Sequence, residues 1–190
     1  LLGLALGLAA LTKFSVAFLV PGLLAVLLAP PLRAALGTRW PWMALAVALG
    51  IGGASLTGQV TWGWPFLEQA RVLRATQLVR VSPAAFLGEQ FLLLAGGALL
   101  ALGGLAALAA GQRLARWRPL AWLVALTTLC FLVLGGKAYY LAPLHGLLIA
   151  AGAVAADAWL ERHRVACRAL MVSMGLAGLT LLPMGVPVLD

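Results

Sequence analysis

The chain has 190 residues, of which 64% are hydrophobic and 9% charged, and its formal net charge is +8. A water-soluble domain carries about 25% charged residues, so this chain cannot cover its surface with polar groups, and lipid is its expected solvent. The positive charge does not point to nucleic acid, because no dense basic run with interleaved aromatics occurs; basic residues instead flank apolar runs, as they do in cytoplasmic loops of membrane proteins.

A spanning helix needs roughly 20 mostly apolar residues. Seven apolar stretches predict helices, at 1–12, 15–30, 40–60, 83–110, 119–135, 138–156 and 166–185. The first is too short to cross alone and reads as a truncated helix. With Leu1 in place of Met and no charged leader, the chain reads as a piece of a longer protein, cut inside its membrane region. The second stretch carries Pro21 and Gly22 and is expected to kink or re-enter. The fourth is long, and Gly96-Gly97 and Gly103-Gly104 let it bend or pack closely on a neighbour. The expected architecture is an all-α integral membrane bundle of six to seven spans, residues 1–190 forming one partial transmembrane domain. Cys130 and Cys167 are too far apart in the pattern to suggest a disulfide, and two cysteines cannot form a metal site alone.

The segment 61–82 is the main stretch outside these runs. Trp62, Trp64 and Phe66 suit a membrane interface, where aromatic rings meet headgroups. On a helix, Phe66, Ala70, Leu73 and Gln77 share one face, Arg71 and Arg74 point together elsewhere, and Val72 and Val79 fall outside the stripe. The segment is expected to be an interfacial helix that anchors to anionic lipid or contacts a ligand.

Counting crossings divides the charges between two faces. Lys13, Arg71, Arg74, Arg80 and Lys137 fall on one, with Glu68. Arg33, Arg39, Arg113, Arg116, Arg118, Arg162, Arg164 and Arg168 fall on the other. The positive-inside rule makes the second face cytoplasmic and the first extracytoplasmic.

The chain has two lysines, Lys13 and Lys137, both in gaps between apolar runs and both on the outer face by this count. In Gly135-Gly136-Lys137-Ala138-Tyr139-Tyr140 two glycines break one span and a cation opens the next. Lys137 and Tyr140 are three apart and can share a helix face. On spacing alone Lys137 snorkels and the tyrosines form an aromatic belt; a lysine and a phenol at a membrane mouth also suit a phosphate. Lys13, after Leu11-Thr12, gains a functional reading if it shares a cavity with Lys137. Glu89, beside Gln90 and about two turns into its span, is either a shallow solvated carboxylate or an intramembrane group that takes a proton or pairs with Lys13 or an arginine. His145 lies in an apolar run and is expected to be a neutral, hydrogen-bonded imidazole. His163 is expected to be solvated. No nucleophile triad, phosphate-cradling loop or metal-ligand spacing is present in the sequence.

Four stretches together resemble the family 39 glycosyltransferases that use polyprenyl-phosphate sugars, which include protein O-mannosyltransferases and bacterial aminoarabinose transferases. They are Gly7-Leu8-Ala9-Ala10-Leu11-Thr12-Lys13-Phe14, Gly63-Trp64-Pro65-Phe66-Leu67, Val81-Ser82-Pro83 through Phe86-Leu87-Gly88-Glu89-Gln90, and Lys137-Ala138-Tyr139-Tyr140-Leu141-Ala142-Pro143. Against the family pattern, His145-Gly146 replaces an aromatic and a proline, Glu89 a small residue, and Ser55 an asparagine. The resemblance implies a GT-C fold in the bacterial plasma membrane and inverting sugar transfer to an extracytoplasmic lipid or protein acceptor. It implies that Lys13 and Lys137 serve the lipid-phosphate end, that Tyr139 and Tyr140 line the cavity, and that a divalent metal is possible without an identified ligand set; Glu89 is counted among the substrate contacts as an intramembrane carboxylate. It places the catalytic carboxylate upstream of Leu1, so that these 190 residues alone are expected to be inactive, and it implies an extracytoplasmic domain after Asp190.

A secondary transporter, with broken helices and an intramembrane Glu89, and a non-catalytic membrane subunit are the alternative readings. The sidedness is directly testable. In a background lacking Cys130 and Cys167, single cysteines at positions 13 and 137 should both react with an impermeant maleimide added from outside. Reaction from opposite sides would overturn the assignment.

Overall fold

A computed structural model describes residues 1–78 and 82–185. It is 90% helical, with no strand among the described residues. Four helical stretches are long and apolar enough to cross a membrane: Arg39–Thr61, Pro83–Ala110, Ala115–Leu134 and Ala138–Asp157. Two shorter apolar stretches, Leu2–Thr12 and Phe14–Leu28, occupy the first two predicted runs. The large apolar side chains turned outward, among them Leu24, Leu49, Leu99, Val133 and Leu179, are consistent with a membrane protein. The readings placed on Val79, Arg80, Val81 and Asp190 lie outside the described residues.

The chain divides into two units, Leu1–Ser82 with Trp122–Gly136, and Pro83–Ala121 with Lys137–Asp190. In the first unit, α1 (Leu2–Thr12) packs along α4 (Arg39–Thr61). Gly3 and Gly7, one turn apart and buried, make this approach possible. A Cβ at Gly3 would lie 2.9 Å from Ala44 Cα, and one at Gly7 would lie 2.8 Å from Ile51 Cβ. Lipid supplies no hydrophobic force between helices, so backbone proximity and dispersion hold them.

After α1 the chain is extended at Lys13, forms a 3₁₀ helix over Phe14–Leu19 and restarts as α2 (Val20–Leu28). The predicted kink is therefore a change of helix type. Pro21 has no N–H, which is tolerated in the first turn of a helix and not in its interior, so the α-helix begins beside it. Gly22 faces α8 (Pro119–Leu134), where its Cβ would lie 2.8 Å from Leu123 Cδ1. A short α3 (Pro30–Arg33) and a 3₁₀ turn lead to α4, whose start carries Trp40 and Trp42. The Trp42 indole N–H donates to Leu36 O at 2.9 Å.

The 61–82 segment begins with two left-handed residues, Gly63 (φ 67°) and Trp64 (φ 60°). Pro65 disfavours the α-region for the residue before it and then opens α5 (Pro65–Leu73) at its first position. Gln59 completes the turn by accepting the Phe66 N–H at 2.9 Å. Phe66, Ala70 and Leu73 are half-buried as the helical spacing requires, but Gln77 is exposed. The reason is a π-helix over Arg74–Leu78, whose wider turn rotates later residues off the α-helical face. Phe66 docks on Phe14, with ring centroids 4.9 Å apart, and Phe18 meets Phe131 edge-on at 4.9 Å. The residues after Lys13 and the start of the 61–82 segment thus lie together in this unit.

In the second unit α6 (Pro83–Leu94) and α7 (Ala98–Ala110) are separated by a 3₁₀ turn at Ala95–Gly97, where Ala95 has φ 47°. The expected bend is here. α10 (Arg164–Gly185) packs on this break, and a Cβ at Gly96 would lie 3.0 Å from Met174 N. α7 runs along α9 (Ala142–Arg162). A Cβ at Gly104 would collide with Leu148 O, and one at Gly152 with Leu100 O. At the end of this pair Arg113 meets Asp157 at 3.2 Å, joining two gaps assigned to one face. Cys130 and Cys167 are unbonded.

Neighbouring glycines have opposite roles here, since nothing lies within 4 Å of a Cβ built at Gly103. Gly104→Ala should destabilise the protein by about 1–3 kcal/mol through overpacking. Gly103→Ala should be neutral or stabilising by up to about 1 kcal/mol. Unfolding of the two variants in mixed micelles by SDS titration checks the contrast.

Candidate functional site

The sequence Gly135-Gly136-Lys137-Ala138-Tyr139-Tyr140 forms the break between α8 and α9. Gly135 has φ 73°, a conformation that L side chains rarely adopt. Gly136 is buried, and a Cβ there would strike the ring of Phe131. One glycine is needed for its backbone angle and the other for space. Lys137 follows in an extended conformation, then a 3₁₀ turn over Ala138–Leu141, then α9 with Pro143 in its first turn.

Arg74 supports the end of α8. Its Nε donates to Leu134 O at 2.9 Å, and its Nη2 donates to the same oxygen. Leu134 is the last residue of α8, where carbonyls lack helical partners and a cation is favoured. Arg71, expected to point with Arg74, instead forms an exposed ion pair with Glu68 at 3.5 Å. The π-helix beginning at Arg74 accounts for this divergence.

Lys137 is half-buried, and its ammonium lies 6.0 Å from the centre of the Tyr139 ring. This is the outer limit of a cation–π contact. Tyr139 and Tyr140 meet edge-on at 4.8 Å; Tyr139 is exposed and Tyr140 half-buried. Because Lys137 is extended, helical periodicity starts only after it, and its ring contact is to Tyr139 two residues on. Ala138 and Leu141 are buried and anchor the turn between them.

Gln90 ties this turn to α6. Its Nε2 donates to Ala138 O at 3.1 Å and to Phe86 O at 3.1 Å, and its Oε1 lies 2.9 Å from His145 Nε2. Two carbonyls on one side fix the amide orientation, because the flipped amide would set oxygen against oxygen. The imidazole Nε2 is therefore the donor, and His145 is the hydrogen-bonded imidazole expected from its apolar setting. Glu89 is exposed on α6, about 100° around the helix from Gln90. The ion pairs among the described residues are Arg71–Glu68 and Arg113–Asp157, so Glu89 has no paired cation among them.

Lys13 is exposed at the end of α1, in the first unit, while Lys137, Tyr139, Tyr140 and Glu89 belong to the second. No group of three or more His, Cys, Asp or Glu side chains placed to hold a metal occurs among the described residues. The two roles missed in the sequence are those of Arg74 and Gln90. A signal existed for Gln90: an amide two turns into an apolar run requires partners in lipid. His163, expected to be solvated, is exposed; its ring stacks on Trp159 and its Nδ1 donates to Trp159 O at 2.8 Å.

Comparison with protein-family models, with curated proteins and with solved structures finds no match.

The Arg74 contact predicts a local effect. Arg74→Gln should speed amide exchange in the last turn of α8 by about two- to five-fold, the equivalent of losing a helix-end cation. Arg71→Gln should leave that turn unchanged. Hydrogen–deuterium exchange resolved to peptides covering 130–137 reads both.

Proposed function

We propose that the chain belongs to the membrane part of a glycosyltransferase that moves a sugar from a polyprenyl-phosphate carrier to an extracytoplasmic acceptor in the bacterial plasma membrane. The observation that carries this reading is the half-buried Lys137, set at a helix break with the Tyr139 ring beside its ammonium and Tyr140 next to it. The four-part sequence resemblance supplies the substrate class. On this reading the four long apolar stretches, the two short ones and α10 make a six- to seven-span GT-C bundle, with the Lys137 end outward.

Lys137 acts on the departing group. In inverting transfer the bond from the sugar's anomeric carbon to the phosphate oxygen breaks as the acceptor oxygen attacks from the opposite face. The acceptor's proton goes to a carboxylate base. The polyprenyl phosphate leaves with increased negative charge, and a fixed ammonium in a low-dielectric setting stabilises that charge. A phenol donates a hydrogen bond to phosphate oxygen. On this reading Tyr139 and Tyr140 take this role, and the polyprenyl chain lies in the surrounding lipid. Lys13 is assigned to the substrate by resemblance, and Glu89 as a carboxylate within an apolar run.

Binding tests the reading without requiring turnover. In lipid nanodiscs the protein should bind undecaprenyl phosphate. Lys137→Ala should weaken binding about ten- to hundred-fold, the range for losing a charge-assisted hydrogen bond. Lys137→Arg should keep part of the affinity, and membrane insertion should be unaffected. Equal affinity in wild type and Lys137→Ala would remove Lys137 from the site and the proposal with it.

A further inference from the structure

Gln90 uses its whole amide. Both carbonyl acceptors, Phe86 O one turn back on α6 and Ala138 O in the turn after Lys137, lie 3.1 Å from its nitrogen. Its oxygen takes the His145 Nε2–H. Three elements therefore meet at one side chain: α6, the 138–141 turn and the first turns of α9. Phe86 is buried one turn before Gln90, and Ala138 is buried at the other end of the bond. In hydrocarbon there is no water to replace a lost partner, so removing the amide unties the turn from α6 and leaves the His145 Nε2–H without its acceptor.

We infer that Gln90 and His145 are positioning residues that hold the 138–141 turn, and through it keep the Lys137 ammonium beside Tyr139 for a phosphate ligand. They act on the turn and not on the ligand. The phosphate role rests on the proposed function; the clamp on the turn does not. Gln90 is the principal member, because its side chain bonds the Ala138 carbonyl directly. His145 orients Gln90 by occupying its oxygen, which turns the nitrogen toward the two carbonyls. A residue that keeps an N–H donor at 145 should therefore substitute for the imidazole, whereas a carboxylate at 90 should fail, since it cannot donate to Ala138 O.

The chain carries its own reference for a test, since it has only two lysines and Lys13 lies in the other unit. In nanodiscs, acylation of each lysine by an amine-reactive ester is followed by peptide mass. Gln90→Leu and Gln90→Glu should raise the Lys137 rate by about three-fold or more, as local opening of the turn exposes it, and leave Lys13 unchanged. His145→Leu should act in the same direction, and His145→Gln should restore the wild-type rate. Undecaprenyl phosphate affinity should fall about ten-fold in Gln90→Leu, with no further fall when that change is added to Lys137→Ala. An unchanged Lys137 rate in Gln90→Leu, or an equal rise at both lysines, would overturn the clamp. A further fall of affinity in the double variant would make Gln90 a general structural residue and overturn its positioning role. If the labelling pattern appears but the wild-type protein does not bind undecaprenyl phosphate, the clamp stands and the glycosyltransferase reading fails.

Discussion

Hydrocarbon offers no hydrogen bonds to a polar backbone, and three interruptions of helix in this chain are met by side chains that reach across to them. Gln59 accepts the Phe66 N–H where α4 gives way to α5. Arg74 donates to the Leu134 carbonyl where α8 ends. Gln90 donates to the Ala138 carbonyl where α9 is being started. In each case one polar residue in or beside an apolar run ties the break to a second backbone group.

The same solvent explains how the helices pack. With lipid on the outside, burying an apolar side chain between helices gains little, and close backbone approach takes over. The α1–α4 and α7–α9 pairs use the same device in separate units: glycines at the crossing, with a neighbouring carbonyl or Cα where a Cβ would go. The α6–α7 break is built the same way, Gly96 lying against the backbone of α10.

Charge falls in two settings. Arginines gather in the two gaps that the Arg113–Asp157 contact joins. Lys137 stands at a break between spans, with two phenols beside it. A half-buried ammonium at a helix break, with a phenol ring 6.0 Å away, is the basis of the glycosyltransferase proposal.

The helices were legible from composition and run length, because a hydrocarbon solvent selects long apolar segments whatever the details of packing. Pro21 and Gly96-Gly97 marked breaks, since a missing N–H and a missing Cβ are local properties. Lys137 and the tyrosines stood out because charge and phenol are rare in such a sequence. The partners were not legible. That Gly104 packs on Leu148 while Gly103 faces open space, that Arg74 turns from Arg71 at a π-helix, and that Gln90 spans from α6 to Ala138 and His145 all depend on which helix lies against which. Those contacts join residues 44 to 60 positions apart, and helical periodicity carries no information over that distance. Sequence alone determined an all-helical chain built for lipid and the residue types at its breaks; tertiary packing decided which of those residues meet.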